Sequence, residues 1–113
     1  MEGKHLHILW TNSDPGTSHN MVMMYATNCK LKDWWEEVTV IVWGSTAKYL
    51  AEDENIQEKM KTAMNVGVKF SACIGCAKNY GIVEELEALE VESISWEPLL
   101  TDILQNNKPL LTV

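Results

Sequence analysis

Two cysteines three residues apart, Cys73 and Cys76 in Ala72-Cys73-Ile74-Gly75-Cys76-Ala77, are the side chains of this sequence best suited to covalent chemistry. A thiolate is a nucleophile, and more of it exists at neutral pH where a helix N-terminus faces the sulfur. Cys73 stands at an expected strand-to-helix junction, where the first amides of the helix lack partners within it. If both cysteines share one helical turn, three residues give about 4.5 Å of rise, a separation that suits a disulfide. One thiol can then attack and the other resolve. A cysteine is also a small hydrophobe, and that reading stays open for Cys76. Cys29, on an apolar helix face, reads as core.

Other reactive types lack partners. Tetrahedral zinc needs four ligands and one CxxC supplies two; Cys29, His5, His7 and His19 form no second pair, so no metal is expected. His5 and His7 share one face of a strand by its period of two, which reads as an exposed amino-terminal edge. His19 falls in a first helical turn and is carried as a bare candidate. The segment Thr11 to Ser18 has the composition of a phosphate-cradling loop. However, Asp14 would repel a phosphate and Pro15 removes a donor, so a capped helix start is the plainer reading and no flavin or other cofactor is expected. Met21, Met23, Met24 and the pair Trp34-Trp35 read as packing surface rather than a cofactor pocket.

The elements that must position these groups follow from the hydropathy pattern. Leu6, Ile8 and Trp10 alternate within a strand from Lys4 to Trp10. The β-branched run Val38 to Trp43 reads as a strand buried on both faces; both are expected inside the sheet. Between them Asp14 caps a helix that carries Met21, Val22, Met24, Tyr25, Ala26 and Cys29 and is apolar on more than one face, which suits burial against another copy of the chain. A second crossover runs from Ser45 through Leu50, restarts near Asp53, continues with Ile56, Met60, Ala63 and Met64, and stops at Gly67. Val68 to Ala72 reads as a third strand ending at Cys73. A helical stretch around Val83, Leu86 and Leu89, a strand at Val91 to Ser95, a helix from Glu97 to Gln105 or Asn106 and a strand at Leu110 to Val113 complete the chain.

Alternating strands and helices predict one domain over residues 1–113, an α/β fold in which a mostly parallel five-stranded sheet lies inside a three-layer α/β/α sandwich, flavodoxin-like in general layout. In such sheets reactive groups gather beyond the carboxyl ends of the strands. Three segments qualify: Thr11 to Thr17, Trp43 to Ser45 and Cys73 to Cys76. Asn12, Ser13, Trp43 and Gly44 are therefore candidate substrate-binding residues beside the two cysteines.

The 113 residues hold 16 Asp/Glu against 9 Lys/Arg, a net charge of −7, which argues against a nucleic-acid or anionic-membrane partner. No apolar run approaches the roughly 20 residues of a membrane-spanning helix. Met1-Glu2-Gly3-Lys4 leads into few apolar residues and no small-residue cleavage site, so no signal peptide is expected. An odd cysteine count suits free thiols in a reducing compartment, and a cytoplasmic location is the expectation.

The sequence resembles the DsrE/DsrF-like family of small sulfur-relay proteins from about His5 to Thr112. The resemblance rests on the order and spacing of Trp10-Thr11-Asn12-Ser13-Asp14, Val42-Trp43-Gly44, Ile56-Gln57-Glu58, Gly67-Val68, the two-cysteine segment, Tyr80-Gly81-Ile82 and Leu100-Thr101-Asp102. It implies a five-stranded parallel sheet, a homo-oligomer (trimer or hexamer), and a cysteine after the third strand that accepts sulfane sulfur as a persulfide from donor proteins or small persulfides and passes it to an acceptor. Counted back from Gly81, that cysteine corresponds to Cys73; Cys76 falls where several members have a small apolar residue. Members of heteromeric relays carry basic residues before the glycine, where this chain has Asn79-Tyr80 and only Lys78 nearby. Two functions follow: a sulfur carrier or sulfurtransferase using Cys73 with Cys76 as resolving thiol, or a non-catalytic oligomeric module that binds a small ligand or senses redox state through its CxxC. A thioredoxin-like oxidoreductase fits less well, since this CxxC follows a third strand.

Overall fold

The computed structural model describes residues 4–113; the reading of Met1 to Gly3 as part of no leader lies outside the described residues. Five strands, β1 (His5–Trp10), β2 (Glu37–Val42), β3 (Lys69–Cys73), β4 (Glu92–Ile94) and β5 (Leu110–Thr112), form one sheet in the order β4-β3-β2-β1-β5. All neighbours are parallel, with Trp10 opposite Val42, Val42 opposite Ala72 and Cys73 opposite Ile94. β1 and β2, read in the sequence as Lys4 to Trp10 and Val38 to Trp43, are both inner, as expected, and β3 is inner beside them.

The helices are α1 (Pro15–Thr17), α2 (Tyr25–Leu31), α3 (Ser45–Glu52), α4 (Glu54–Asn65), α5 (Ile74–Tyr80), α6 (Val83–Ala88) and α7 (Trp96–Gln105). Asp14 and Asp53 cap α1 and α4, their carboxylates accepting the N–H groups of Thr17 and Ile56 at 2.9 Å. A helix, α5, opens at the Cys73 junction, the helical stretch expected around Val83 and Leu86 is α6, and Cys73 is the last residue of β3.

Between α1 and α2 the helix continues without a break through a π-helical segment, Ser18–Met24. The sequence pattern does not show this wider turn. Val22, Met23, Ala26 and Cys29 are buried, whereas Met21 and Met24 point outward. A π turn takes one more residue per hydrogen bond than an α turn, so it rotates the residues that follow it away from a 3.6-residue stripe.

Parallel crossovers are right-handed, so a chain that steps β1 to β4 in one direction lays its helices on one face. The larger core lies there: Leu6, Ile8, Trp10, Val38, Val40, Val42, Phe70 and Ala72 of the sheet pack on Val22, Met23, Leu50, Ile56, Met60 and Leu86 of the helices. The return from β4 to β5 reverses direction and places α7 on the other face, where Trp96 and Ile103 cover Ile41 with Leu9, Trp43, Ile94 and Leu110 around them. The three layers are thus unequally filled.

That unequal covering corrects the reading of His5 and His7 as an exposed edge. Both stand on an inner strand under the part of the sheet α7 leaves open, with rings stacked at 4.0 Å and the His7 ring edge-on to Trp96. His5 reaches Thr39 at 2.8 Å and Glu37 at 3.3 Å. Burial, then the neighbouring His5, lowers the His7 pKa from 6.5 to about 4. The unfolded chain therefore takes up a proton on this residue at a higher pH than the folded one, so stability is present above pH 6.5 and falls as pH drops toward 4. His7 is only half-buried, and after solvent screening the effect is about 1–2 kcal/mol. Urea unfolding at pH 7 and pH 4.5 should show His7→Phe losing less stability on acidification than the parent by that amount; equal losses would contradict the assignment.

Candidate functional site

Because every strand of a parallel sheet ends on the same side, the segments after β1, β2 and β3 must meet there. Hydrogen bonds tie them together in pairs. Thr46, fully buried, sets its hydroxyl 2.7 Å from the carbonyl of Trp10 and 2.9 Å from that of Trp43, which fastens the end of β1 to the turn after β2. The hydroxyls of Ser13 and Ser45 lie 2.8 Å apart. Across the next gap the N–H of Gly44 donates to Cys76 Sγ at 3.2 Å. The three segments singled out in the sequence therefore form one continuous edge.

Gly44 makes the last of these links possible through its backbone. Its φ of 71° and ψ of −139° lie in a region that only glycine adopts at low cost. No heavy atom lies within 4 Å of where a Cβ would stand, so conformation and not space requires glycine here.

Cys73 is the last residue of β3 and the N-cap of α5, in extended conformation with φ −71° and ψ 120°. Only 5% of it is exposed. Cys76, one turn into α5, is half-buried, and both are free thiols. Burial pushes the Cys76 thiol up, the Gly44 N–H opposes that, and the adjacent Cys73 sulfur and the Glu97 carboxylate push it further up. Glu97 comes to the site by register: Ile94 pairs with Cys73, and three residues later Glu97 stands in the first turn of α7.

The other candidates divide. Ser13 and Gly44 stand at the edge, bonded to Ser45 and to Cys76. The exposed Asn12 side chain closes its own turn, its Oδ1 accepting the N–H of Asp14 at 2.8 Å, while its backbone carbonyl receives the Trp10 indole N–H at 2.9 Å and the Ser18 hydroxyl at 2.8 Å. Trp43 sends its ring to the α7 face beside Ile41 and Trp96, leaving only its backbone at the edge. Cys29 is fully buried in the core, where burial raises its thiol pKa. His19 lines a groove of about 230 Å³ with Asn20, Met24 and Lys59, away from the cysteines. A larger trough of about 530 Å³ lies at the opposite end of the sheet, bounded by His5, His7, Thr39, Lys69 and Trp96. No group of three or more His, Cys, Asp or Glu among the described residues is placed to hold a metal ion, and no described helix is long and apolar enough to cross a membrane.

Ser45 ends one of the three segments singled out in the sequence; Thr46 and Glu97 are residues at this edge that the sequence did not single out. Glu97 follows from sheet order, which spacing along the chain does not reveal; Thr46 has no sequence signal beyond standing in a strand-to-helix turn.

Among solved structures two chains match. A conserved protein of unknown function from Bacteroides thetaiotaomicron is 31% identical with a TM-score of 0.94, over 97% of this chain and 95% of that one. The YchN protein of E. coli, 15% identical with a TM-score of 0.73 over 97% of this chain and 99% of its own, shares the fold. No curated protein matches the sequence. The profile of the DsrE/DsrF-like family matches residues 4–110, a span that takes in β1 to β4, all seven helices and both cysteines. This chain belongs to the DsrE/DsrF-like family.

Proposed function

We propose that the protein is a sulfur carrier or sulfurtransferase that takes sulfane sulfur on Cys73 as a persulfide, with Cys76 as the resolving thiol. The observation that carries this reading is the pairing of the two thiols at the carboxyl edge of the sheet, where burial and the neighbouring sulfur hold Cys76 in its less nucleophilic form. The Cys73 thiolate attacks the outer sulfur of a persulfide R–S–S⁻; the S–S bond to the carrier breaks, R–S⁻ leaves with the electron pair, and Cys73 holds the transferred sulfur with no net oxidation. Attack by Cys76 on Cys73 Sγ would then form the Cys73–Cys76 disulfide and release hydrosulfide, and a dithiol reductant would reset the pair. A partner's thiolate attacking the terminal sulfur instead passes it on and leaves Cys73 free. Sulfur donor and acceptor proteins, or small persulfides, are the partners of this scheme.

The carrier acts as a homo-oligomer in this reading, a trimer or a hexamer. The apolar side chains that the first helix does not bury support it: Met21, Met24 and Leu31, with Trp34 just beyond, are 45%, 53%, 60% and 47% exposed. Light scattering on the size-exclusion peak should give three or six chains, and a monomer at micromolar concentration would exclude it.

Intact-mass analysis after incubation with a sulfane donor tests the chemistry. The parent should gain one sulfur atom per chain, removed by reductant. Cys73→Ser should reduce uptake to background. Cys76→Ser should still load, and without added thiol should release hydrosulfide about tenfold more slowly or worse. One sulfur per chain on Cys73→Ser would overturn the roles.

Gly44→Ala forces an L-residue into a glycine conformation, at a cost of about 1–3 kcal/mol in stability, and moves the N–H that Cys76 accepts. With that donor displaced the Cys76 thiol should titrate higher still, seen as an alkylation profile shifted to higher pH. An unshifted profile would show that the Gly44 N–H does not act on the sulfur.

A further inference from the structure

Gly75 stands between the two cysteines in α5 with no backbone reason to be glycine. It is absent from the positive-φ residues, so its conformation is one that any L-residue adopts, and alanine is the better helix former there. Space does not demand glycine either. A Cβ at this position would meet one atom within 4 Å, Cys73 Sγ at 3.8 Å, an ordinary van der Waals contact. Gly75 itself is exposed, while Cys73 is 5% exposed. A methyl group there would thus stand on an exposed position in contact with the sulfur at no steric cost.

We infer that Gly75 is the access residue of the site: its missing side chain is the opening through which a sulfur donor reaches Cys73, and it sets how bulky that donor can be. The inference rests on the sulfur-carrier reading and adds a substrate class to it. A terminal sulfur on Cys73 lies about 2 Å from Sγ, so the volume over Gly75 has to admit that atom together with the carrier still bonded to it during exchange. Attack on sulfur also needs the attacking thiolate, the sulfur and the leaving thiolate nearly in line. A side chain over the thiol therefore blocks the carrier before it blocks the sulfur. Donors whose persulfide projects on a slender arm, such as a cysteine or glutathione persulfide, fit this opening; a persulfide set flush in a protein surface does not. Glu97 at the same edge adds a negative charge that an anionic donor must approach.

The test is Gly75→Ala, read by melting temperature and by the rate of Cys73 modification with three probes: inorganic disulfide, glutathione persulfide and iodoacetamide, each located by peptide mass spectrometry. The melting temperature should stay level or rise, while loading from glutathione persulfide falls about tenfold or more and loading from inorganic disulfide falls less. Iodoacetamide labelling of Cys73 should slow as well. Unchanged rates with all three probes, or a lowered melting temperature that accounts for the slower rates, would overturn the inference. If the parent takes no sulfur on Cys73 from either donor, the carrier reading fails; iodoacetamide then still decides whether Gly75 governs access to the thiol.

Discussion

Parallel pairing of all five strands is the constraint on which the rest depends. It requires every connection to cross back over the sheet, which sets the helices on the faces and delivers all carboxyl ends to one edge. Right-handed crossovers then give the larger face to the helices before β4 and leave the other to α7 alone. The thiols occur at the one edge where three segments far apart in sequence must converge. The half-bare face with its stacked histidines is the other outcome of the same rule.

Along that edge the stabilising and reactive features are separated by depth. Thr46 and the Trp10 carbonyl sit inside, where a buried hydroxyl is paired on both sides and locks two strand ends. Ser18 and the Trp10 indole do the same beneath the first turn. Outside this layer Gly44 is held in a conformation that costs energy for any other residue, and a thiol is held partly out of water. The inner hydrogen bonds fix the geometry that the outer residues require.

Much of this was legible before the fold was known. The β-branched run of β2, the caps Asp14 and Asp53, and the strand that ends at Cys73 are local signals, and local signals survive folding. They were enough to predict the parallel sheet and which three segments meet. What stayed hidden was set by sheet order and by helix type. Asn12 and Trp43 lie in the right segments, yet one side chain closes its own turn and the other packs under α7. The π-helical turn sorts the methionines, Met23 into the core and Met21 and Met24 outward, and the histidines of β1 looked like an edge because period two says nothing about which strands flank them.

Reactive cysteines in many proteins are flanked by a lysine, arginine or histidine whose charge draws the proton off the sulfur. Here the group that lowers the Cys76 pKa is a backbone N–H, that of Gly44, and the nearby side-chain charge, Glu97, acts in the opposite sense. Side-chain charges are screened over a Debye length of about 8–10 Å in ordinary salt, whereas a dipole in contact with the sulfur is not. Burial is the first cause of the raised Cys76 pKa, and the Gly44 N–H opposes it from direct contact. Any change that rotates the peptide plane between β2 and α3 would move that donor and leave burial, the Cys73 sulfur and Glu97 to act on the thiol unopposed.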